Sequence, residues 1–382
     1  MYKRSPIHCI VPPHMLKEIA DKGTPAQKEL AVQTMLTSER LRGNRRALGE
    51  LGKATMRARA VVGGKDRTVY DANNGSTLPG TVARRETGAP VADAAVNEAF
   101  DGSGITYDLF KDIYNRNSID GNGLPLNSTV HYQRGYDNAF WDGQQMVYGD
   151  GDENLPEDER LFNRFTIALD IIGHELAHGV TQYEAELVYF QQPGAVNESM
   201  SDVFGSLVKQ YQRGQAADQA DWIIGEGLLT SNVNGVGIRT LKAPGTAYND
   251  PVLGRDPQPA HMRDYVNTAS DNGGVHINSG IPNHAFYLTA LELGGFAWEK
   301  AGQIWYVTLK DKLGANSNFL QCAALTYQAA GELFGAGSLE QHAVKNGWAG
   351  VGLGVDGGST PTEPGGGCLE ALLRFFGATS AR

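Results

Sequence analysis

Two histidines four residues apart, in the run His174-Glu175-Leu176-Ala177-His178, with Glu198 twenty positions beyond the second, constrain this chain more than any other feature. On a helix, residues four apart share one face, so His174 and His178 can both aim an imidazole nitrogen at one metal ion. Glu175, one residue on from His174, can approach a water at that metal without being a ligand itself. Two imidazoles and a distant carboxylate leave zinc a fourth, open position, whereas structural zinc sites are closed by four protein ligands, usually rich in cysteine. The chain must therefore carry a helix here and bring the segment Asn197-Glu198-Ser199-Met200-Ser201-Asp202 back to it.

A stray string of this kind would sit on a solvated helix face. The preceding residues Phe162, Phe165, Ile167, Leu169, Ile171 and Ile172 are too apolar for that, so the histidines belong to a mostly buried element where unpaired polar groups are costly.

Charge is divided unevenly. Residues 1–60 carry 12 Lys/Arg against 5 Asp/Glu and the remainder 21 against 38, net +7 and −17 within the overall −10. A basic leader on an acidic body suggests mutual attraction. A nucleic-acid-binding arm is the weaker reading, because the basic positions are not interleaved with aromatics and the body would repel phosphate. No run of 18 apolar residues exists to span a membrane. Near the start, Pro12, Pro13, Lys17, Glu18 and Asp21 interrupt any signal-peptide core. Synthesis in the cytoplasm without a secretory leader is expected, any export then taking a non-classical route. Three widely spaced cysteines, Cys9, Cys322 and Cys368, argue against a disulfide scaffold.

Helical patterns in the leader run through Met15, Leu16, Ile19 and Ala20, just after Pro12-Pro13, and through Leu30, Ala31, Met35 and Leu36. The stretch holding Arg40, Arg42, Arg45, Arg46, Lys53, Arg57 and Arg59 has little to bury and reads as a protease-accessible linker. Residues 61–150 alternate short β-branched or aromatic runs with Asn-Gly, Asp-Gly and Pro-Gly turns, a strand-rich lobe. Beyond 160, apolar-periodic segments at 163–181, 195–212, 278–294 and 318–335 make a mainly helical lobe. Gly357 to Gly367 reads as a linker, followed by a short amphipathic segment, Cys368 to Phe376, that is either disordered or a docking peptide.

Four motifs in order, Asn138-Ala139-Phe140-Trp141-Asp142-Gly143, the His174–His178 helix, Gly194-Ala195-Val196-Asn197-Glu198 through Asp202, and Asp271-Asn272-Gly273-Gly274-Val275-His276-Ile277-Asn278-Ser279-Gly280, resemble the thermolysin family of zinc metallopeptidases over roughly residues 65–352. The short leader is similar to that of the protealysin branch. The resemblance implies an α+β fold of two lobes, β-rich and then mainly α-helical, with the zinc helix between them. Its expected divisions are a propeptide over 1–58, lobes over 59–182 and 183–353, and a linker with tail over 354–382. It implies one catalytic zinc on His174, His178 and Glu198, with Glu175 moving the proton from water to the leaving amine. Asn197 and Asp202 would orient the ligand histidines. His276 and Tyr189 would donate to the oxyanion, with Asp271 orienting His276, and Asn138, the Ala139 backbone and Arg239 would grip the substrate main chain. Phe162, Phe165, Ile171 and Ile238 are expected to line the pocket after the scissile bond, ordinary core packing being the equal alternative.

Two departures from the family pattern stand out. Where relatives hold a calcium pair, Asp170, Asp221 and Glu226 remain but Lys209 and Ile223 stand at the matching positions, and Val236 replaces a further carboxylate. Calcium there is expected to be weakened or absent. The chain is then expected to be a monomeric neutral endopeptidase acting on peptides and on its own propeptide. An aminopeptidase would need an acidic residue by Asn138–Trp141, and a non-catalytic relative would not need both Glu175 and His276. The leader is expected to dock on the body by opposite charge, weaken with salt and be removed to leave a start between about 45 and 65. A sharper expectation has the Cys9 thiolate capping the open zinc position.

Overall fold

A computed structural model of the chain describes residues 8–51 and 64–355. The described leader comprises strand β1 (His8–Cys9) and helices α1 (Pro13–Lys22) and α2 (Pro25–Leu51). The first lobe contains β2 (Arg67–Asp71), β3 (Thr81–Arg85), α3 (Ala94–Asp108), β4 (Leu126–Val130), β5 (Ala139–Trp141) and β6 (Met146–Tyr148). α4 (Leu169–Tyr183) leads into a second lobe built on α5 (Gln191–Arg213), with α6 (Asp271–Asn278), α7 (Gly280–Leu293), α8 (Lys300–Asp311), α9 (Phe319–Phe334) and α10 (Leu339–Gly350). Short ribbons, β7 (Ile223–Ile224) with β8 (Arg239–Thr240) and β9 (Asn249–Asp250) with β10 (Gly254–Arg255), lie between α5 and α6. The fold is thus the two-lobed one, a mixed sheet and then helices. Among the described residues no helix is long and apolar enough to cross a membrane.

The sheet order is β1-β5-β6-β4-β2-β3, so the leader supplies an edge strand to a sheet of the body. β1 runs antiparallel to β5, pairing His8 with Trp141 and Cys9 with Phe140. Next in the sheet, β6 and β5 are antiparallel, while β4 runs parallel to both β6 and β2. An unpaired edge would be a template for another chain, and here the leader fills it.

α4 and α5 approach closely because glycines face each other. A Cβ on Gly205 would meet the Asp170 carbonyl oxygen at 2.4 Å, and one on Gly173 would meet the Gly205 Cα at 3.1 Å. That contact places Glu198 and Asp202 against the histidine face of α4. Both helices are buried over most of their length, as the apolar flank predicted.

Three expectations need correction. Residues 163–168 are not α-helical: a 3-10 turn over Phe165–Ile167, with Ile167 exposed, precedes α4, which starts at Leu169 with Asp170 in its first turn. The strand-rich lobe contains the fifteen-residue helix α3, whose glycines, Gly102 and Gly104, hid it. The expected linker from Arg40 is helical up to Leu51, with Arg42 buried. The rest of that stretch, 52–63, and the tail, 356–382, lie outside the described residues.

His131 ties the sheet to α3. Its Nδ1 donates to Asp150 Oδ2 at 2.8 Å and its Nε2 to Asp93 Oδ2 at 2.8 Å, Asp93 being the residue that caps α3. The Asp150 hydrogen bond, against burial and with help from Asp93, raises His131 to about 9. A folded-state value above the ordinary 6.5 gives stability that is complete below pH 6.5 and disappears as pH rises through about 9. In an inactivated background, the denaturation midpoint should fall across that window for the parent but not for His131→Gln; parallel profiles would exclude the bridge.

Candidate active site

His174 and His178 project from α4 toward Glu198 on α5, and one ligand atom from each lies within 4.8 Å of the others. His174 Nε2 is 3.6 Å from Glu198 Oε2, and His178 Nε2 is 3.4 Å from Glu198 Oε1. The outer nitrogens are fixed: His174 Nδ1 donates to Asp202 Oδ1 at 2.8 Å, and His178 Nδ1 to Asn197 Oδ1 at 2.8 Å. That sets each ring with Nε2 inward and unprotonated, as a metal ligand requires.

The group fits a divalent cation. His174 Nε2, Glu198 Oε2 and Glu175 Oε1 are all buried without a hydrogen-bond partner, an arrangement costly unless a cation or its water satisfies them. Burial, then the Glu198 carboxylate, pushes Glu175 well above the usual carboxylate range. Two nitrogens and a carboxylate with an open side suit zinc. Glu175 Oε2 accepts from the Trp141 amide at 3.0 Å, which leaves Oε1 as the oxygen without a protein donor.

Opposite Glu175, Tyr189 and His276 converge. The Tyr189 hydroxyl donates to Glu198 Oε1 and lies 3.1 Å from His276 Nε2. Asp271 holds His276 at both ends, accepting from Nδ1 at 2.5 Å and from the His276 amide at 2.8 Å. Residues Asp271, Asn272, Gly273 and Gly274 all have positive φ, so the chain curls tightly enough to turn that carboxylate back on the imidazole. Burial opposes protonation of His276, but Glu198 and Asp271 outweigh it and raise its pKa.

The residues expected to grip a main chain hold the leader. The Ile10 amide donates to the Ala139 carbonyl at 3.2 Å, the Val11 amide to Asn138 Oδ1 at 2.9 Å, and Arg239 to the Ile10 carbonyl at 3.1 Å. His276 Nε2 donates to the Cys9 carbonyl at 3.1 Å. Arg239 also grips Asp202, donating from Nε and one terminal nitrogen at 2.9 Å each. Burial alone would raise Asp202, yet the Arg239 guanidinium and His174 hold it below the usual range. Phe162, Phe165, Ile171 and Ile238 are fully buried, as is Ile10.

One leader expectation fails. The Cys9 thiol does not join the metal group; it is buried with Tyr132, Tyr136, Phe140 and Val147, where burial pushes it up toward the neutral form. In a strand the carbonyl lies near the plane of the sheet and the side chain projects from its face, so the carbonyl of Cys9 can reach the site while its thiol packs elsewhere. The described part of the leader also docks by apolar burial. Lys17, Lys22 and Arg42 pair with Asp21, Glu18 and Glu39 of the leader itself, while Ile10, Val11, Met15, Leu16, Ile19 and Ala31 join the main core. A charge imbalance read from composition says nothing about which charges face one another.

Sequence reasoning missed two partners of the site. Ser201 Oγ lies 2.9 Å from His178 Nδ1, and its place one helical turn beyond Asn197 was the available signal. Asn283 Nδ2 donates to Asp202 Oδ2 at 2.8 Å from α7, and nothing in the sequence marked it.

Comparison with known proteins adds independent findings. Residues 51–182 match the family described as thermolysin metallopeptidase, catalytic domain, and residues 185–353 its alpha-helical domain. The chain is 50% identical over 333 residues to an extracellular metalloprotease of Pectobacterium carotovorum, covering 87% of this chain and 93% of that protein. It is 41% identical over 293 residues to a thermolysin of Alicyclobacillus acidocaldarius, covering 74% of this chain and 50% of that one. The solved precursor of protealysin, a metalloproteinase from Serratia proteamaculans, superposes with a TM-score of 0.81 at 50% identity, covering 91% of this chain and 99% of that one.

Proposed function

The chain belongs to the thermolysin family of metallopeptidases, and on that footing we propose that it is a latent zinc endopeptidase that cuts before large apolar residues and removes its own leader. The observation that carries this reading is the leader strand. Cys9–Ile10 lies antiparallel on β5 with the Cys9 carbonyl at His276 and the Ile10 side chain buried, as the two residues flanking a cut bond would lie. A strand added to that edge uses main-chain hydrogen bonds that any peptide offers and leaves selection to the side-chain pockets.

His174, His178 and Glu198 would hold the zinc, which would supply a Lewis acid to polarise the scissile carbonyl and acidify water. Glu175 Oε1 takes the water proton and returns it to the leaving amine, its other oxygen fixed by the Trp141 amide. His276 and Tyr189 donate to the carbonyl oxygen as it gains charge, and Asp271 keeps His276 oriented. Arg239, Asn138 and Ala139 hold the main chain in register. The apolar side chains Phe162, Phe165, Ile171 and Ile238 favour Leu, Ile, Phe or Val after the cut, burial of such a side chain contributing about 1.5–3 kcal/mol. Lys209 takes the place of calcium at Asp170, Asp221 and Glu226.

Two measurements test this. Mass spectrometry of a digested unfolded protein should show cuts on the amino side of large apolar residues near neutral pH, and a preference for charged residues there would contradict the pocket assignment. Wild type should shorten to a species beginning between about 45 and 65 and gain activity as it does so. A full-length protein already fully active would overturn latency.

A further inference from the structure

Beneath the leader lies a pair of acids that the mechanism does not use. Asp137 and Asp152 are 2% and 1% exposed and face each other. Asp152 Oδ2 accepts from the Leu161 and Phe162 amides at 2.6 and 3.0 Å. Asp137 Oδ1 is buried and receives no hydrogen bond. Two carboxylates in contact in a dry site cannot both stay ionised, so the pair holds a proton between them. Burial, then Asp152, pushes Asp137 well above the usual range, and burial raises Asp152 as well despite its two amide donors.

The roof over this pair is α2. Thr34 Oγ1, fully buried, accepts from the Asp137 amide at 3.1 Å. Two turns earlier, Gln27 Nε2 donates to the Glu159 carbonyl at 2.6 Å and Thr24 Oγ1 to Glu159 Oε2 at 2.9 Å, on the loop that runs into Leu161. One helix of the leader therefore spans both loops that carry the acids. The same face continues through Thr37 to Gln133 and Ser38 to Tyr136, so α2 touches the loop that leads into β5 at Gln133, Tyr136 and Asp137.

We propose that the Asp137–Asp152 pair makes leader docking proton-linked: the docked leader seals a pair that shares one proton, and its departure admits water and releases that proton, so rising pH drives the leader off. This rests on the leader reading above but concerns docking, not inhibition. Arg160 favours the ionised form of Asp152, and from α2 the neutral Thr34 hydroxyl meets the Asp137 amide. Two other leader groups titrate with docking. His14, buried at Tyr248 and lowered by burial to about 4 from 6.5, opposes docking only on the acid side of 6.5. Cys9, raised by burial from 9.0, acts only above that value. Between about pH 6.5 and 8.5 these two leader groups are silent, and on the body His276, raised and bound to the Cys9 carbonyl, adds a contribution of the same sign that Asp137→Asn leaves in place.

The test uses the full chain with Glu175→Gln to prevent self-cleavage, and follows the hydrogen-exchange protection factors of the Ile10 and Val11 amides, which correct for intrinsic exchange. In that window protection should fall by about three- to tenfold per pH unit. Asp137→Asn, which keeps the shape and removes the shared proton, should fall distinctly less per pH unit than the parent. Thr34→Val should lower protection by one constant factor and keep the slope. A flat parent profile, or an unchanged slope in Asp137→Asn, overturns the proposal; should Asp137→Asn fail to fold, the parent and Thr34→Val profiles decide it. A leader that docks with this slope but leaves hydrolysis unaffected would sink latency alone.

Discussion

Glu175→Gln should bind one equivalent of zinc as the wild type does, yet lose at least about a thousandfold in peptide hydrolysis and remain full length after purification. The metal should stay because His174, His178 and Glu198 form the ligand group without Glu175, and their outer partners Asp202, Asn197 and Ser201 are untouched. Activity should go because glutamine keeps the Trp141 amide contact but cannot take a proton. Glutamine is also nearly isosteric, so the buried site need not collapse. Metal analysis, a blocked-peptide assay and intact mass on the same preparation separate the outcomes. Loss of zinc would make Glu175 a ligand or a structural support, and residual processing would mean that another protease, or another base, removes the leader.

How far such a site can be read from sequence depends on how local its geometry is. His174 and His178 share a helix face by spacing alone, and the Asn197–Asp202 run is likewise one helical stretch, so ligands and their nearest supports were legible. Ser201 belonged to the same turn and could have been read. Asn283 arrives from α7, 81 positions from Asp202, and no local pattern encodes it. The fold class followed from the change of periodicity near residue 160, whereas α3 was masked by its glycines and by the strand signals around it. In the leader, helix positions were legible but the mode of contact was not. Net charge is a property of a segment, while docking depends on which side chains the leader turns inward, among them Ile10, Met15, Leu16, Ile19, Ala31 and Thr34.

Lys209→Met should cost about 3–5 kcal/mol of stability and create a calcium response that the parent lacks. The Lys209 ammonium sits 2.9 Å from Asp170, 2.7 Å from Asp221 and 3.7 Å from Glu226, and donates to the Ile223 carbonyl at 2.7 Å. Burial opposes its charge, but Asp170 and Asp221 outweigh burial and raise its pKa, so the lysine stays charged throughout the working range. Arg213 supports the outer acids, at 2.7 Å from Glu226 and 3.4 Å from Asp221, but Asp170 is fully buried and would keep only the Gly225 amide at 2.9 Å. Methionine fills the space and leaves that carboxylate uncompensated, which is the expensive way to break a buried pair. Three carboxylates and a carbonyl oxygen then resemble a hard-cation site, so millimolar calcium should restore part of the loss. Denaturant midpoints with and without calcium, measured in the Glu175→Gln background to avoid self-digestion, decide the matter. A parent stabilised by calcium would show that the ammonium does not replace the ion, and a Lys209→Met protein as stable as the parent would show that the buried charges roughly break even against an apolar side chain.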